Sequence, residues 1–349
     1  LFHSMPDGSA IFPLSTGYVY VSNSEMKKGN GGVYGLYFDH EGNVVDYKIL
    51  LNGTTRNCSG GVTPWKTWIS CEEYGKGQCW QVNPDPNGAF YSSPAMTMLG
   101  GVDGGNFESV ACDNRNPSQP IFYLTEDHES GALRKYTPPK IDEESASFAD
   151  YWNMLHVEGG ATNYLVFSDA NTFEWSSDIE AARRSQNTYY RNVEGIDYYD
   201  GMLYFVSKKM LLLYALDLEN QTYTTTSTKG GLIGDGQFSH SPDQIVRGKG
   251  GETLYLTEDG GKTVGVYASD KDGRYAIFEA YGEMYTNDET TGLSFSSDGK
   301  RLYACFQDCG CENSDDVDFT CGCLLEFSRN DGRSFDGTTM NLKFHAANT

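Results

Sequence analysis

Long apolar runs are missing from this 349-residue chain, and none reaches the roughly 18 residues that a membrane-spanning helix needs. There is no signal-peptide core either; the chain opens on Leu1 rather than Met and reads as a mature or trimmed product. Basic residues are scarce, with 26 Lys and Arg against 48 Asp and Glu and a formal charge of −22. A field of that sign repels nucleic acid and anionic membranes, so neither is expected as a partner. A phosphate ester would be admitted only after bound cations had cancelled part of the charge. The histidines (3, 40, 128, 156, 240, 345) do not cluster, which leaves a lactonase-like His centre without a nucleus. Long helical periodicities are also few. What the chain has in quantity is Gly (40), Tyr (24) and Phe (18), which suits many short strands joined by tight turns.

Six short segments share one shape, an apolar alternation that ends in polar or acidic residues. They are Gly17–Glu25, Thr67–Glu73, Ile121–Asp127, Met202–Lys208, Thr253–Asp259 and Arg301–Asp308. Taking Tyr20, Ile69, Tyr123, Tyr204, Tyr255 and Tyr303 as markers, the intervals are 49, 54, 81, 51 and 48 residues. A Gly-containing turn and a further strand follow each segment. Most are preceded by a run that starts on a polar group, such as Glu108-Ser-Val, Glu194-Gly-Ile or Asp243-Gln-Ile. A repeat of that length built from successive strands marks the blades of a propeller. The expected fold is therefore all-β, a six-bladed β-propeller forming one domain over residues 1–349. The long third interval holds the helical signals, Ile141–Trp152 and a stretch from Ser177 capped by Ser177 or Asp178. They are placed in a helical insertion between blades three and four, at about residues 137–190.

In such a wheel the first strand of each blade lines the axis, so a residue repeated at its start forms a ring. Glu108, Glu194 and Asp243 would lie in that ring, with Cys58 and Glu289 nearby. Glu25, Glu73, Glu126, Asp127, Glu258 and Asp259 would join if the adjoining strand ends face the same mouth. Carboxylates gathered so closely repel one another unless cations sit among them. Hard oxygens suit calcium and an unpaired thiolate suits a softer, redox-capable ion such as iron, so the set points to two kinds of metal. Clustered metals suit phosphoryl transfer. The alternative for Cys58 is half of a disulfide beside a solvated acidic tip.

Nine cysteines (58, 71, 79, 112, 305, 309, 311, 321, 323) favour an oxidising compartment. Cys71 and Cys79 flank a hairpin they could bridge. Cys309, Cys311, Cys321 and Cys323 favour two cross-hairpin disulfides over a four-thiolate zinc site, whose spacing differs. Cys58 is the expected free thiol. The sequons at Asn52, Asn57 and Asn220 also suit export, so the protein is expected to be secreted and glycosylated.

The segment Arg56-Asn-Cys-Ser-Gly-Gly-Val-Thr-Pro-Trp-Lys-Thr-Trp-Ile-Ser-Cys-Glu-Glu73 is similar to the "RNCAGG-TPWGTWLTCEE" pattern of the PhoX-type alkaline phosphatases, secreted six-bladed propellers with a calcium and iron centre. Asn23-Ser-Glu25 resembles the family's Asn-His-Glu. Phe107-Glu108 with Val110 and Asp113 resembles the segment bearing a metal-binding Glu. Ala181-Ala-Arg-Arg through Val193-Glu194-Gly resembles the helix leading into Arg-Pro-Glu, and Pro242-Asp243 resembles Pro-Asp-Asn. Glu289-Thr-Thr-Gly and Ser296-Ser-Asp-Gly resemble Glu-x-Thr-Gly and Ser-Pro-Asp-Gly. The resemblance covers nearly the whole chain. It implies that Cys58, Glu108 and Glu194 ligate Fe3+ or lie beside it, with Asp243 and Glu289 among the Ca2+-binding acids and Glu25, Glu73 and Glu126 added to them. It also implies a phosphomonoesterase acting on a small phosphate ester. The chain departs where the family has Arg-Pro-Glu, because it carries Asn192-Val193-Glu194 with Arg191 one residue off. Two histidines of the family pattern are absent as well. An active enzyme would need Lys66, Arg191 or Lys208 in place of the lost arginine, since developing oxyanions must be neutralised. The alternative function is a catalytically silent, calcium-stabilised extracellular propeller that binds a protein partner.

Overall fold

The computed structural model describes residues 2–88, 92–168, 170–229, 238, 240–271, 273–309 and 322–335. Blade one comprises β1 (Pro6–Leu14), β2 (Gly17–Ser24), β3 (Gly31–Phe38) and β4 (Val44–Thr54), and blade two β5 (Asn57–Val62), β6 (Trp68–Gly77), β7 (Cys79–Val82) and β8 (Ala95–Met96). Blade three runs through β9 (Gly105–Asp113), β10 (Ile121–Glu126), β11 (Arg134–Thr137), β12 (Ala161–Phe167) and β13 (Phe173–Ser176). Blade four is β14 (Val193–Tyr199), β15 (Met202–Ser207), β16 (Leu212–Asp217) and β17 (Thr222–Ser227). Blade five is β18 (Ser241–Arg247), β19 (Leu254–Asp259), β20 (Val264–Ser269) and β21 (Arg274–Ala280). Blade six has β22 (Thr290–Phe295), β23 (Arg301–Phe306) and β24 (Cys323–Ser328) among the described residues. All blades are antiparallel meanders, and the tail of β6 also pairs with β9, Glu73 opposite Asn106, which stitches blades two and three into one sheet.

The first strands form the hub. Each of β1, β5, β9, β14, β18 and β22 lies against the next, and β22 lies against β1. Side chains far apart in sequence seal that closure: Tyr20 donates its hydroxyl to Gly292 O at 2.7 Å, and the Ser9 and Ser294 hydroxyls meet at 2.6 Å. The six repeat markers have a packing reason. Tyr20 and Tyr303 fill the layer between blades six and one, Ile69 that between two and three, and Tyr123 that between three and four. Tyr204 lines the layer between four and five, and Tyr255 that between five and six. Aromatic rings bury large areas at low conformational cost, so a Tyr in five of the blades, and Ile69 in blade two, fills a wedge between twisted sheets.

The long third interval is only partly an excursion. Its strands β12 and β13 extend blade three, α1 (Phe148–Asn153) sits between β11 and β12, and α2 (Ile179–Tyr189) links blades three and four. Asp178 is the N-cap of α2, accepting from Glu180 N and Ala181 N, a partner set that a short acid in extended backbone can reach. From α2, buried Gln186 donates to Glu126 O and His128 O and so fixes the loop that carries Asp127.

Candidate metal centre

In every blade the register between the first and second strand slips at the same place. The paired positions are Pro6/Ser9 in β1, Asn57/Gly60 in β5, Phe107/Val110 in β9, Val193/Ile196 in β14, Pro242/Ile245 in β18 and Thr291/Ser294 in β22. Such a bulge adds one residue and re-aims its side chain. The residues it turns toward the hub are Asp7, Cys58, Glu108, Glu194, Asp243 and Gly292. The neighbouring small residues let the strands close in. A Cβ on Gly195 would meet Ile245 N at 2.4 Å and one on Gly8 would meet Ser59 Cα at 2.5 Å, both of them backbone atoms.

The structure brings Cys58, Glu108, Glu194 and Asp243 together. Ligand atoms of Asp7, Cys58 and Glu108 lie within 4.8 Å of one another, as do those of Glu108, Glu194 and Asp243 and those of Glu25, Cys58 and Glu73. Glu108 and Cys58 thus each belong to two groups, and the three sets interlock. Glu108 is 1% exposed, and its Oε1 has no hydrogen-bond partner among the described residues. A buried carboxylate oxygen left without a donor is costly unless a cation meets it. One soft sulfur among several hard oxygens, with a buried carboxylate oxygen left without a donor, is a donor set able to hold metal ions.

Asp7 is the member that the sequence reading missed. It accepts from Gln244 Nε2, Thr291 Oγ1 and Gln307 Nε2, and from the Cys58 thiol at 3.3 Å, joining blades one, two, five and six at the axis. A signal for it existed, since Pro6-Asp7 repeats the Pro242-Asp243 pair. Cys58 is free and buried, as expected, and its turn is clamped by Asn23, whose amide donates to Cys58 O and Ser59 O while accepting from Trp68 Nε1.

A second ring lies at the ends of the second strands. Glu25 N, Glu73 N, Asp127 N and Lys208 N donate to Met5 O, Arg56 O, Asn106 O and Asn192 O, while Asp259 pairs with Ser241 and Phe306 with Thr290. Glu25 and Glu73 face the mouth, held by Arg56 (Nε to Glu25 Oε1 3.2 Å, Nη1 to Glu73 Oε2 3.4 Å). Lys208 Nζ lies 2.6 Å from Asp259, 3.4 Å from Glu194 and 3.9 Å from Asp127. Glu289 bridges to Asp259 through its backbone and adjoins Asp243.

Other expected residues lie elsewhere. Glu126 is buried but belongs to none of the three ligand groups; its Oε2 accepts from Ala132 N, because strand alternation sends Asp127, and not its neighbour, to the mouth. Glu258 is likewise used up, taking His240 N and the Tyr267 hydroxyl, and Glu72 clasps Thr55 N, Gln78 N and Trp80 Nε1. Arg191 is not brought to the mouth: it is exposed, with Nε donating to Asn187 O at 2.6 Å. Beside it, Asn192 donates to Asp127 Oδ1. Lys66 sits in the β5–β6 turn, at the end of blade two away from Cys58. Exposed His128 accepts from Ser130 N, and His240 Nδ1 meets Asp259 O at the rim.

Electrostatics agree with a site built for cations. Burial first, and then the neighbouring acids, raise Asp7, Glu108, Glu194 and Glu289 well above the usual carboxylate range, Glu73 to about 8 and Asp243 to about 6. Burial and then the Asp7 charge push the Cys58 thiol up. Cations among these groups reverse that logic and let the carboxylates and thiolate ionise.

Among the other cysteines, Cys309 and Cys323 form a disulfide, while Cys311 and Cys321 lie outside the described residues. Cys71 and Cys79 are opposed across β6 and β7 as free thiols, Sγ to Sγ 3.6 Å, and Cys112 and Cys305 are also free. Of the sequons, Asn52 and Asn220 are exposed. Asn57 is buried, its side chain bonded to Thr54 and Ser70, so a glycan does not fit it in the folded chain.

Fold and site define a six-bladed β-propeller with a carboxylate-and-thiol cluster on its axis. Residues 45–100, which contain the Cys58 turn and β6, match the family model of alkaline phosphatase PhoX. A Pseudomonas fluorescens PhoX in complex with vanadate, a transition state analogue, has the same fold, with a TM-score of 0.72, 14% identity, and coverage of 97% of this chain and 90% of that one. A structural genomics protein of unknown function from Bacteroides thetaiotaomicron matches more loosely, with a TM-score of 0.51, 11% identity, and coverage of 93% and 70%. No curated protein matches the sequence.

Proposed function

We propose that this protein is a secreted, metal-dependent phosphomonoesterase whose axial mouth holds calcium and iron. Cys58, Glu108, Glu194, Asp243 and Asp7 are the inner ligands, with Glu25, Glu73 and Glu289 supplying outer oxygens. The observation that carries this reading is Glu108, which belongs to two ligand groups and whose buried Oε1 has no hydrogen-bond partner among the described residues. Bound ions would supply Lewis-acid stabilisation to the phosphoryl oxygens and a route to an activated water. The chain's own part is positional. The bulges fix the ligand vectors, Asn23 holds the Cys58 turn, and the burial of Glu108 and Glu194 keeps bulk water from competing for the ions. Arg56, which is 35% exposed at the rim beside Glu25 and Glu73, is the guanidinium placed to meet a phosphate in the absence of an Arg-Pro-Glu arginine. The likeness to a PhoX in complex with vanadate, a transition state analogue, supports a phosphate ester as substrate. The Cys309–Cys323 bond and the exposed sequons Asn52 and Asn220 support secretion and glycosylation.

The test is turnover of p-nitrophenyl phosphate by protein loaded with calcium and iron. The wild type is expected to hydrolyse it, and Cys58→Ala or Glu108→Gln to lose at least about a hundredfold in rate, as when a metal-borne catalytic group is lost. Metal-replete wild type without turnover would contradict the proposal. A second reading, a silent calcium-stabilised propeller that binds an extracellular protein, is favoured by the outward turn of Arg191 and the use of Asn192 to hold Asp127. Calcium without iron in the purified protein would select it.

A further inference from the structure

Four of the six positions in the second ring are carboxylates, and only one of the other two is a cation. The positions that end the second strands are Glu25, Glu73, Asp127, Lys208, Asp259 and Phe306, so blade four presents an ammonium where its flanking blades present carboxylates. We propose that Lys208 is a built-in cation that takes the place of one divalent ion in the axial mouth.

Geometry, charge and connectivity support this. Lys208 Nζ is 2.6 Å from Asp259 of blade five, 3.9 Å from Asp127 of blade three and 3.4 Å from Glu194 in its own blade. It therefore bridges three blades, as a shared ion would. Replacing a ring carboxylate by Lys changes the local charge from minus one to plus one, the same change that one bound calcium makes. An ammonium has three N–H donors, and here carboxylates surround them, which makes Lys208 a counter-ion more than a free phosphate-binding group. The backbone commits it to that place, since Lys208 N donates to Asn192 O and Ser207, one residue before it, hydrogen-bonds through its hydroxyl to Arg191 O. In the neighbouring blade three, Glu108 is not among the acids paired with Lys208, and its Oε1 has no hydrogen-bond partner among the described residues, so that oxygen is left for metal. The inference rests on the mouth being a metal centre and sets how many ions it takes.

The experiment strips the full-length protein with a chelator, reloads it with calcium and counts bound calcium by elemental analysis, alongside melting temperature with and without calcium. Lys208→Glu restores the ring acid and is expected to hold one more calcium per chain than wild type. Lys208→Gln, which removes the charge with little change in length, is expected to melt lower than wild type in chelator and to gain more from calcium. The inference is overturned if Lys208→Glu binds the same number of ions as wild type. Should that variant fail to fold, it is overturned if Lys208→Gln melts as wild type does in chelator and shows the same calcium shift. None of these readouts is turnover. A wild type that binds calcium and iron but hydrolyses nothing would sink the phosphatase reading and leave the role of Lys208 standing.

Discussion

At the scale of single residues, the site is defined by the conflict between burial and charge. Glu73 is raised to about 8 and Asp243 to about 6 when no ion balances them, in each case by burial first. A carboxyl whose folded-state pKa is raised holds its proton more tightly in the folded chain than in the unfolded one. Between its ordinary value and its raised value, unfolding then releases a proton, so stability falls as pH rises through that window. Chelator-treated protein is therefore expected to lose melting temperature steadily from about pH 4.5 to about pH 8, and calcium-loaded protein to show a flatter profile, since the ions take over the balance of charge. A metal-free profile that rises over that range would contradict the account. The sequence made Cys58, Glu108, Glu194 and Asp243 legible because each opens a repeated strand. It put Glu126 with the metal-binding acids, whereas Asp127 is the one beside Lys208 at the mouth, because a one-residue change of register sends a side chain to the opposite face, and that register is set by a bulge with no mark in composition. Asp7 escaped because its strand precedes the first marker segment.

At the scale of elements, the repeat was legible through its packing. The marker tyrosines recur because each blade must fill a wedge against the next, and Tyr255, fully buried between blades five and six, stands for the rest. Tyr255→Ala is expected to lower unfolding free energy by about 3–5 kcal/mol, the usual range for emptying a large aromatic site. A urea titration showing less than about 1 kcal/mol would mean that the inter-blade layers are not what holds the wheel together. The extension of blade three by β12 and β13 was hidden, because the interval's helical stretches dominated its pattern while the flanking strands are short and half-exposed. Gln186 gives that helix a local purpose, since without it the loop bearing Asp127 has fewer fixed points.

At the scale of the whole molecule, closure and charge act together. The wheel brings β1 and β22, nearly the full chain apart, into contact at the axis, and Asp7 takes donors from Gln244, Thr291 and Gln307 there. Ring closure thus creates the acid cluster, and ions that neutralise it stabilise the closed ring through linkage. Architecture and charge were readable from the residues. The exit of Arg191 from the mouth and the capture of three acids by Lys208 were not, because both depend on how blade four sits between its neighbours. The most direct measurement is anomalous X-ray scattering at the iron edge from crystals of protein purified without chelator. The account predicts an iron peak within bonding distance of Cys58 Sγ and Glu108, with calcium among the surrounding carboxylates. A hub free of metal density, with the Cys58 thiol still bonded to Asp7, would contradict it.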